Sequence, residues 1–192
     1  MSTIDAAPDQ FGKLTISIDF PDRHSRLTTF FRLLLAIPLL VFGYFYEIVT
    51  LIAVIISWVA LVITGTYPAG LYAFVSGYLR FYLRLVGYLY LAVDAYPPFS
   101  GAAYPEYPVH VTIPPRKANY SRLKALFRLI YIIPAYIVVA VLAIGLVVLV
   151  VLAWLTILVT GRLPGFIADY LTFALGWLAK FIGLYFLVIE NY

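Results

Sequence analysis

The sequence predicts an all-α integral membrane protein of two tandem repeats, each an in-plane amphipathic helix followed by a transmembrane helical hairpin, with a small cytoplasmic β-ribbon outside the bilayer. Three observations carry this expectation. Hydrophobic residues make up 64% of the 192-residue chain and charged residues 11%, with a mean hydropathy of +0.99, so the chain cannot cover itself with polar side chains as a globular domain does. From Leu129 to Val159 no residue is charged, and at about 1.5 Å rise per residue that run exceeds the roughly 30 Å hydrocarbon core of a bilayer. Finally, SRLTTFFRLLLAIP at Ser25–Pro38 returns as SRLKALFRLIYIIP at Ser121–Pro134, displaced by 96 residues.

Carried along the chain without a gap, that displacement matches Trp58 to Trp154, Thr64-Gly65 to Thr160-Gly161, Pro68 to Pro164, Gly87 to Gly183, Asp94 to Glu190 and Tyr96 to Tyr192. Chance similarity among apolar residues does not reproduce Trp, Thr-Gly and Pro in one register, so the chain is read as a tandem duplication. Its parts are an N-terminal cytoplasmic segment over 1–24, a first membrane hairpin over 25–96, a Tyr- and Pro-rich linker over 97–120 and a second hairpin over 121–192. The SRL..FR....IP opening, the W.....TG..P turn and the YPPF exit at Tyr96–Phe99 resemble the bacterial membrane-protein family catalogued as domain of unknown function 4389. That resemblance covers nearly the whole chain twice and implies the architecture; it implies no activity, because the family carries none to transfer.

Taken in order, the first 25 residues hold no apolar block of the kind a cleaved signal sequence needs, so the N-terminus is expected to be retained and cytoplasmic. LTISIDF at Leu14–Phe20 and VHVTI at Val109–Ile113 alternate apolar and polar residues with β-branched content, and are expected to pair as a short ribbon. In the opening stretch of the first repeat, Ser25, Thr28, Thr29, Arg32 and Ala36 share one helical stripe, with Leu27, Phe30, Phe31, Leu34 and Leu35 opposite. Ser121, Lys124, Ala125 and Arg128 repeat the stripe. A helix basic on one face and aromatic on the other suits the headgroup boundary, with Pro38 or Pro134 kinking or ending it.

Leu39–Ile63 and Ala135–Val159 are then long enough to cross. Each ends in Thr-Gly and a proline, where glycine caps the helix and proline stops it. Leu71–Val93 and Ile167–Ile189 return. Basic residues cluster before the hairpins, whereas the Thr-Gly turns hold only Arg162. The two opening helices and both termini are therefore expected on the cytoplasmic side of the inner membrane, the repeats being related by a pseudo-twofold along the membrane normal. A competing reading splits residues 27–63 and 123–159 into two crossings each.

The ionisable residues inside the spans suggest chemistry. Glu47 and Arg84 fall at matching depths and are expected to pair, with Arg80 one turn away, because an unpaired charge there costs about 2.5–3.5 kcal/mol. Lys180 occupies the second-repeat position of Arg84, but Ala143 stands in place of Glu47. Lys180 is left to snorkel, to meet Glu47 across the repeats or to bind a lipid phosphate. Gly77, Gly87, Gly176 and Gly183 are expected helix-packing positions. Arg26, Arg32, Arg122, Lys124 and Arg128 are candidates for anionic lipid headgroups.

No cysteine is present, the two histidines, His24 and His110, lie outside the spans, and no phosphate-binding glycine loop or metal-ligand cluster occurs. The expectation is a non-enzymatic structural, oligomer-forming or accessory membrane protein with no cofactor and no nucleic-acid partner. A small transporter or channel using the Glu47, Arg80, Arg84 and Lys180 cluster is the alternative.

Overall fold

The computed structural model describes residues 13–190. Residues 1–12 of the expected N-terminal segment, and Tyr192 at the end of the repeat register, lie outside the described residues. In chain order the elements are β1 (Thr15–Ile18), α1 (Arg26–Phe30), α2 (Arg32–Thr64), α3 (Ala69–Leu89), β2 (Val109–Thr112), α4 (Arg122–Leu126), α5 (Arg128–Tyr131), α6 (Ile133–Thr160) and α7 (Gly165–Tyr185). Among them α2, α6 and α7 are long and apolar enough to cross a membrane. α3 is not one of these: Arg80, Arg84 and four tyrosines (Tyr72, Tyr78, Tyr82, Tyr88) interrupt it, and most of its length is buried within the protein.

The duplicated residues form duplicated structure. Ser25 and Ser121 cap α1 and α4, each hydroxyl accepting from the N–H three residues on. The Thr-Gly turns end α2 and α6 with Gly65 and Gly161 in the left-handed conformation at φ 73° and 72°, a region a side chain enters only at a cost. α3 and α7 end earlier than the sequence predicts, each in a Schellman motif whose left-handed residue is a leucine, Leu91 or Leu187, at φ 64°. The paired bonds are Leu91 N–H to the Tyr88 carbonyl with Ala92 N–H to that of Gly87, and Leu187 N–H to Leu184 with Val188 N–H to Gly183.

The opening helix departs from the expectation. It breaks at Phe31, one residue before Arg32, and α2 then runs through Pro38 without interruption. Proline's fixed φ suits a helix, so the bond its missing N–H removes is the local loss. In the second copy the breaks fall at Phe127 and Ile132, and Pro134 sits in the first turn of α6, where no partner for its N–H is needed. The polar stripe is helical as read, but beyond its exposed first residue, Ser25, it turns inward: Thr28 is half-buried and Thr29, Arg32 and Ala36 are buried, while Leu27, Phe30, Phe31, Leu34 and Leu35 opposite are exposed.

β1 and β2 pair antiparallel as expected. A displacement of 96 residues carries the pair Thr15–Thr112 onto Val111–Ile16, which is itself a pair, so a pseudo-twofold passes through the centre of the ribbon. The same axis exchanges the helices. The start of α2 meets the end of α3, where Arg32 reaches the Tyr88 and Val93 carbonyls; the end of α2 meets the start of the second repeat, where Tyr120 N–H donates to the Gly65 carbonyl at 2.8 Å. Symmetrically, the end of α6 meets the start of the first repeat, His24 N–H donating to the Gly161 carbonyl at 2.8 Å. α2 is thus antiparallel to α6, and α3 to α7. A twofold that reverses helix direction lies across the helices, not along them as side-by-side crossing hairpins would require.

α3 and α7 form the middle of the molecule, with α2 and α6 packed on one side and the ribbon on the other. The ribbon lays Leu14 and Val109 onto the helices and turns Thr15, Ser17 and Asp19 outward.

Candidate functional site

Two symmetry-related junctions organise the chain. At the first, Arg32 Nη1 donates to the Tyr88 carbonyl at 2.7 Å and the Val93 carbonyl at 2.8 Å, Nη2 pairs with Asp94, and the guanidinium lies 4.6 Å from the Tyr88 ring centroid. Asp94 also accepts from Ser25 N–H at 2.6 Å and contacts His24 Nδ1 at 3.0 Å. At the second, Arg128 Nε donates to the Leu184 carbonyl at 2.6 Å and Nη2 to that of Ile189, while Glu190 accepts from Ser121 N–H and Lys117 Nζ, each at 2.7 Å. Each arginine caps the carbonyl end of the returning helix, where the helix dipole favours a cation.

The electrostatics follow from these contacts. Burial pushes the Asp94 carboxyl up, but the His24 and Ser25 hydrogen bonds and the His24 and Arg32 charges overcome it and hold the group below the usual carboxylate range. For Glu190 burial is likewise outweighed, by Lys117, Ser121 N–H and the Lys124 charge.

This geometry divides the expected headgroup ligands. Arg32 and Arg128, 2% and 6% exposed, are committed to the protein interior and do not face lipid headgroups. Arg26 and Arg122 are exposed and lie against the opposite repeat's glycine turn, Arg122 Nη2 approaching the Thr64 carbonyl at 3.4 Å. Lys124 is half-buried beside Glu190. Indole N–H groups complete the exchange: Trp58 donates to the Ala125 carbonyl at 2.8 Å and Trp154 to the Thr29 carbonyl at 3.1 Å. Against these tryptophans lie two symmetry-related apolar grooves of about 280 and 260 Å³.

The expected charge cluster does not assemble. Glu47 is exposed on α2 and shares a small recess with Tyr78, Tyr82 and Tyr185; among the described residues it forms no ion pair. Arg84 turns away from it, donating to the Ala102 carbonyl at 2.9 Å and lying 5.2 and 5.7 Å from the Tyr104 and Tyr107 ring centroids. Arg80, half-buried, stays on the same helix. The histidines do not meet: His24 contacts Asp94, and His110 contacts Asp19 at 2.9 Å.

The glycine stripe receives loops and strands. A Cβ on Gly87 would stand 3.2 Å from Val109 Cγ2, and one on Gly183 2.6 Å from Leu14 Cδ2, both in the ribbon strand or its flank. Gly77 admits Gly101 of the linker, whose own Cβ would fall 2.4–2.5 Å from Gly77 backbone atoms. Gly176 has open space.

The Arg84 and Lys180 sites differ. Among the described residues Lys180, the counterpart of Arg84, makes no hydrogen bond to the linker; its ammonium lies 5.1 Å from the Trp177 ring centroid, and the residue lines a cavity of about 450 Å³ together with Lys13, Lys117, Pro115 and Glu190. Sequence reading missed this cavity because Lys13 and Lys117 are brought to Lys180 only by strand pairing.

The fold and its junctions define a class: a duplicated helical protein whose two copies interlock about a pseudo-twofold. The model of the family described as domain of unknown function DUF4389 matches residues 26–101 and again 122–192. The chain belongs to that family and carries its domain twice. No curated protein matches the chain, and no solved structure does.

Proposed function

We propose that this protein is a non-enzymatic structural subunit of a membrane, lying in one leaflet with α2 and α6 in the membrane plane and the ribbon face in water. The antiparallel arrangement of the repeats carries the proposal. If α2 and α6 crossed upright, the twofold would lie in the bilayer plane, and the ribbon and linker, with Asp19, Glu106 and His110, would sit at mid-membrane depth. Charges there are expensive, and lipid-facing irregular backbone is excluded. Laid flat, the same molecule is amphipathic as a slab. Leu33, Val41, Ile55, Ile144, Val151 and Val159 all stand on the exposed apolar side, while the charges of the ribbon and of both junctions collect at the water. The 33 residues of α2 extend about 50 Å, which suits a helix lying along a membrane better than one spanning roughly 30 Å. The basic opening segments of the two repeats then lie on one face with the axis along the membrane normal, as the charge bias requires. The exposed apolar sides and the two tryptophan grooves are surfaces for lipid tails, for a second copy or for other membrane proteins.

Because the chain has no cysteine, single cysteines at Ser17, Ala69 and Arg162 test the orientation with a membrane-impermeant maleimide. All three are expected to react from the same side of the bilayer. Reaction of Ala69→Cys or Arg162→Cys from the side opposite Ser17→Cys refutes the in-plane reading in favour of crossing hairpins. The structural role is read from the native mass of gently extracted protein: a defined oligomer or complex supports it, and a lone monomer opposes it.

A further inference from the structure

The pseudo-twofold makes each repeat a control for the other. In the first repeat the guanidinium of Arg84 is answered by the linker: the Ala102 carbonyl accepts its proton, and Tyr104 and Tyr107 supply ring faces. Close contact of Gly101 with the Gly77 backbone seats that linker. In the second repeat the position equivalent to Gly77 is Phe173, exposed to 56%, and Lys180, the counterpart of Arg84, lines a cavity of about 450 Å³. Among the described residues Lys180 and Lys13 have no hydrogen bond or ion pair. Lys117 reaches the same space, its side chain 52% exposed.

We propose that this cavity binds a phosphate monoester, with the ammonium groups of Lys13, Lys117 and Lys180 converging on its oxygens. The charges are complementary. Three lysines and one carboxylate, Glu190, line the cavity, leaving a net charge of two positive, against the roughly 1.5–2 negative charges of a phosphate monoester at neutral pH. Glu190 does not repel the ligand outright, because its oxygens are occupied by Ser121 N–H and Lys117 Nζ. Ammonium groups serve as point-charge phosphate binders, and the volume falls within the usual 300–1,000 Å³ of small-ligand sites. Pro114, Pro115, Val188 and Ile189 give the cavity apolar walls, which lower the local dielectric and strengthen the pairing. The ligand can be the headgroup of an acidic lipid or a soluble metabolite bearing the same group. The proposal rests on the in-plane reading only for where the cavity opens, and phosphate binding is measured without it.

Calorimetric titration of the full chain in neutral detergent, with inorganic phosphate, short-chain phosphatidic acid, short-chain phosphatidylglycerol and short-chain phosphatidylcholine, tests this. Binding of phosphate and phosphatidic acid places a soluble or lipid-borne monoester in the cavity; binding of phosphatidic acid alone identifies a lipid headgroup. In either case Lys180→Met and Lys13→Met should each weaken binding roughly tenfold, the order of one partly screened charge contact. Arg162→Met, exposed on the Gly161 turn and outside the cavity lining, should leave it unchanged and controls for general loss of charge. No binding of any probe, equal binding of phosphatidylglycerol and phosphatidic acid, or undiminished binding by the Lys13 and Lys180 variants overturns the proposal.

Discussion

Replacing Arg32 by methionine removes the bond to the Tyr88 carbonyl, the bond to the Val93 carbonyl and the pairing with Asp94, while keeping most of the buried stem. Hydrogen bonds to a charged group contribute about 1.5–3 kcal/mol each, so three of them summed independently overshoot. They share one guanidinium, and the arginine bears a desolvation cost that the methionine does not. What remains is the penalty of stranding buried partners, about 3–5 kcal/mol for breaking a buried pair. Asp94 keeps Ser25 N–H and His24, which places the expected loss near the lower end, about 3 kcal/mol. Unfolding in mixed micelles with a rising fraction of sodium dodecyl sulfate, followed by far-ultraviolet circular dichroism, reads the change. In Arg32→Met/Asp94→Asn the total should fall short of the sum of the single changes by about 1–2 kcal/mol, since the two groups are in contact. A loss below about 1 kcal/mol, or additivity within about 0.5 kcal/mol, refutes the junction as the element joining α2 to the end of α3.

Two further outcomes follow from the junctions and glycines. Gly183→Ala drives a Cβ to 2.6 Å from Leu14 Cδ2, so it is expected to destabilise by about 1–3 kcal/mol through overpacking, whereas Gly176→Ala meets open space and should be neutral or stabilising by up to about 1 kcal/mol; thermal melting in detergent separates them, and equal effects refute the packing account. Asp94 and Glu190 are both held below their ordinary range, so their contribution is fully present above the unfolded-state values near pH 4 and is lost as pH falls through the lower folded-state values; the melting temperature should drop below about pH 4, and Asp94→Asn/Glu190→Gln should flatten that dependence.

Local chemistry was legible in the sequence wherever neighbours in the chain decide it. The Thr-Gly stops at Gly65 and Gly161 and the alternation of β1 and β2 depend on residues a few positions apart, and each forms as read; the serine caps are equally local and emerge only in the structure. The polar stripe of the opening helix was also visible, but its direction was reversed. Arg32 points inward because its partners, the Val93 carbonyl and Asp94, lie about sixty residues onward, beyond any helical period. A signal for this was present: the duplication retains an arginine and an acid together, as Arg32 with Asp94 and as Arg128 with Glu190. Antiparallel placement of the repeats left no such trace, because the same apolar helices serve either orientation and the choice is made where Trp58 and Trp154 reach across. The lysine cavity was hidden for the same reason, since Lys13, Lys117 and Lys180 come from three separate segments.

The ribbon through which the twofold passes takes one strand from ahead of each repeat, and each tryptophan donates to the other repeat's opening helix. Neither half therefore completes its own sheet or covers its own opening helix. A chain with a single copy, from strand to returning helix, would carry both sides of this interface on one surface, so two such chains would close as an isologous dimer about the same axis. Joining them through residues 97–108 fixes the pairing at one partner per half and converts a concentration-dependent association into an intramolecular one. It also lets the halves diverge, so that Arg84 is met by Ala102, Tyr104 and Tyr107 while its counterpart Lys180 lines a cavity with Lys13 and Lys117.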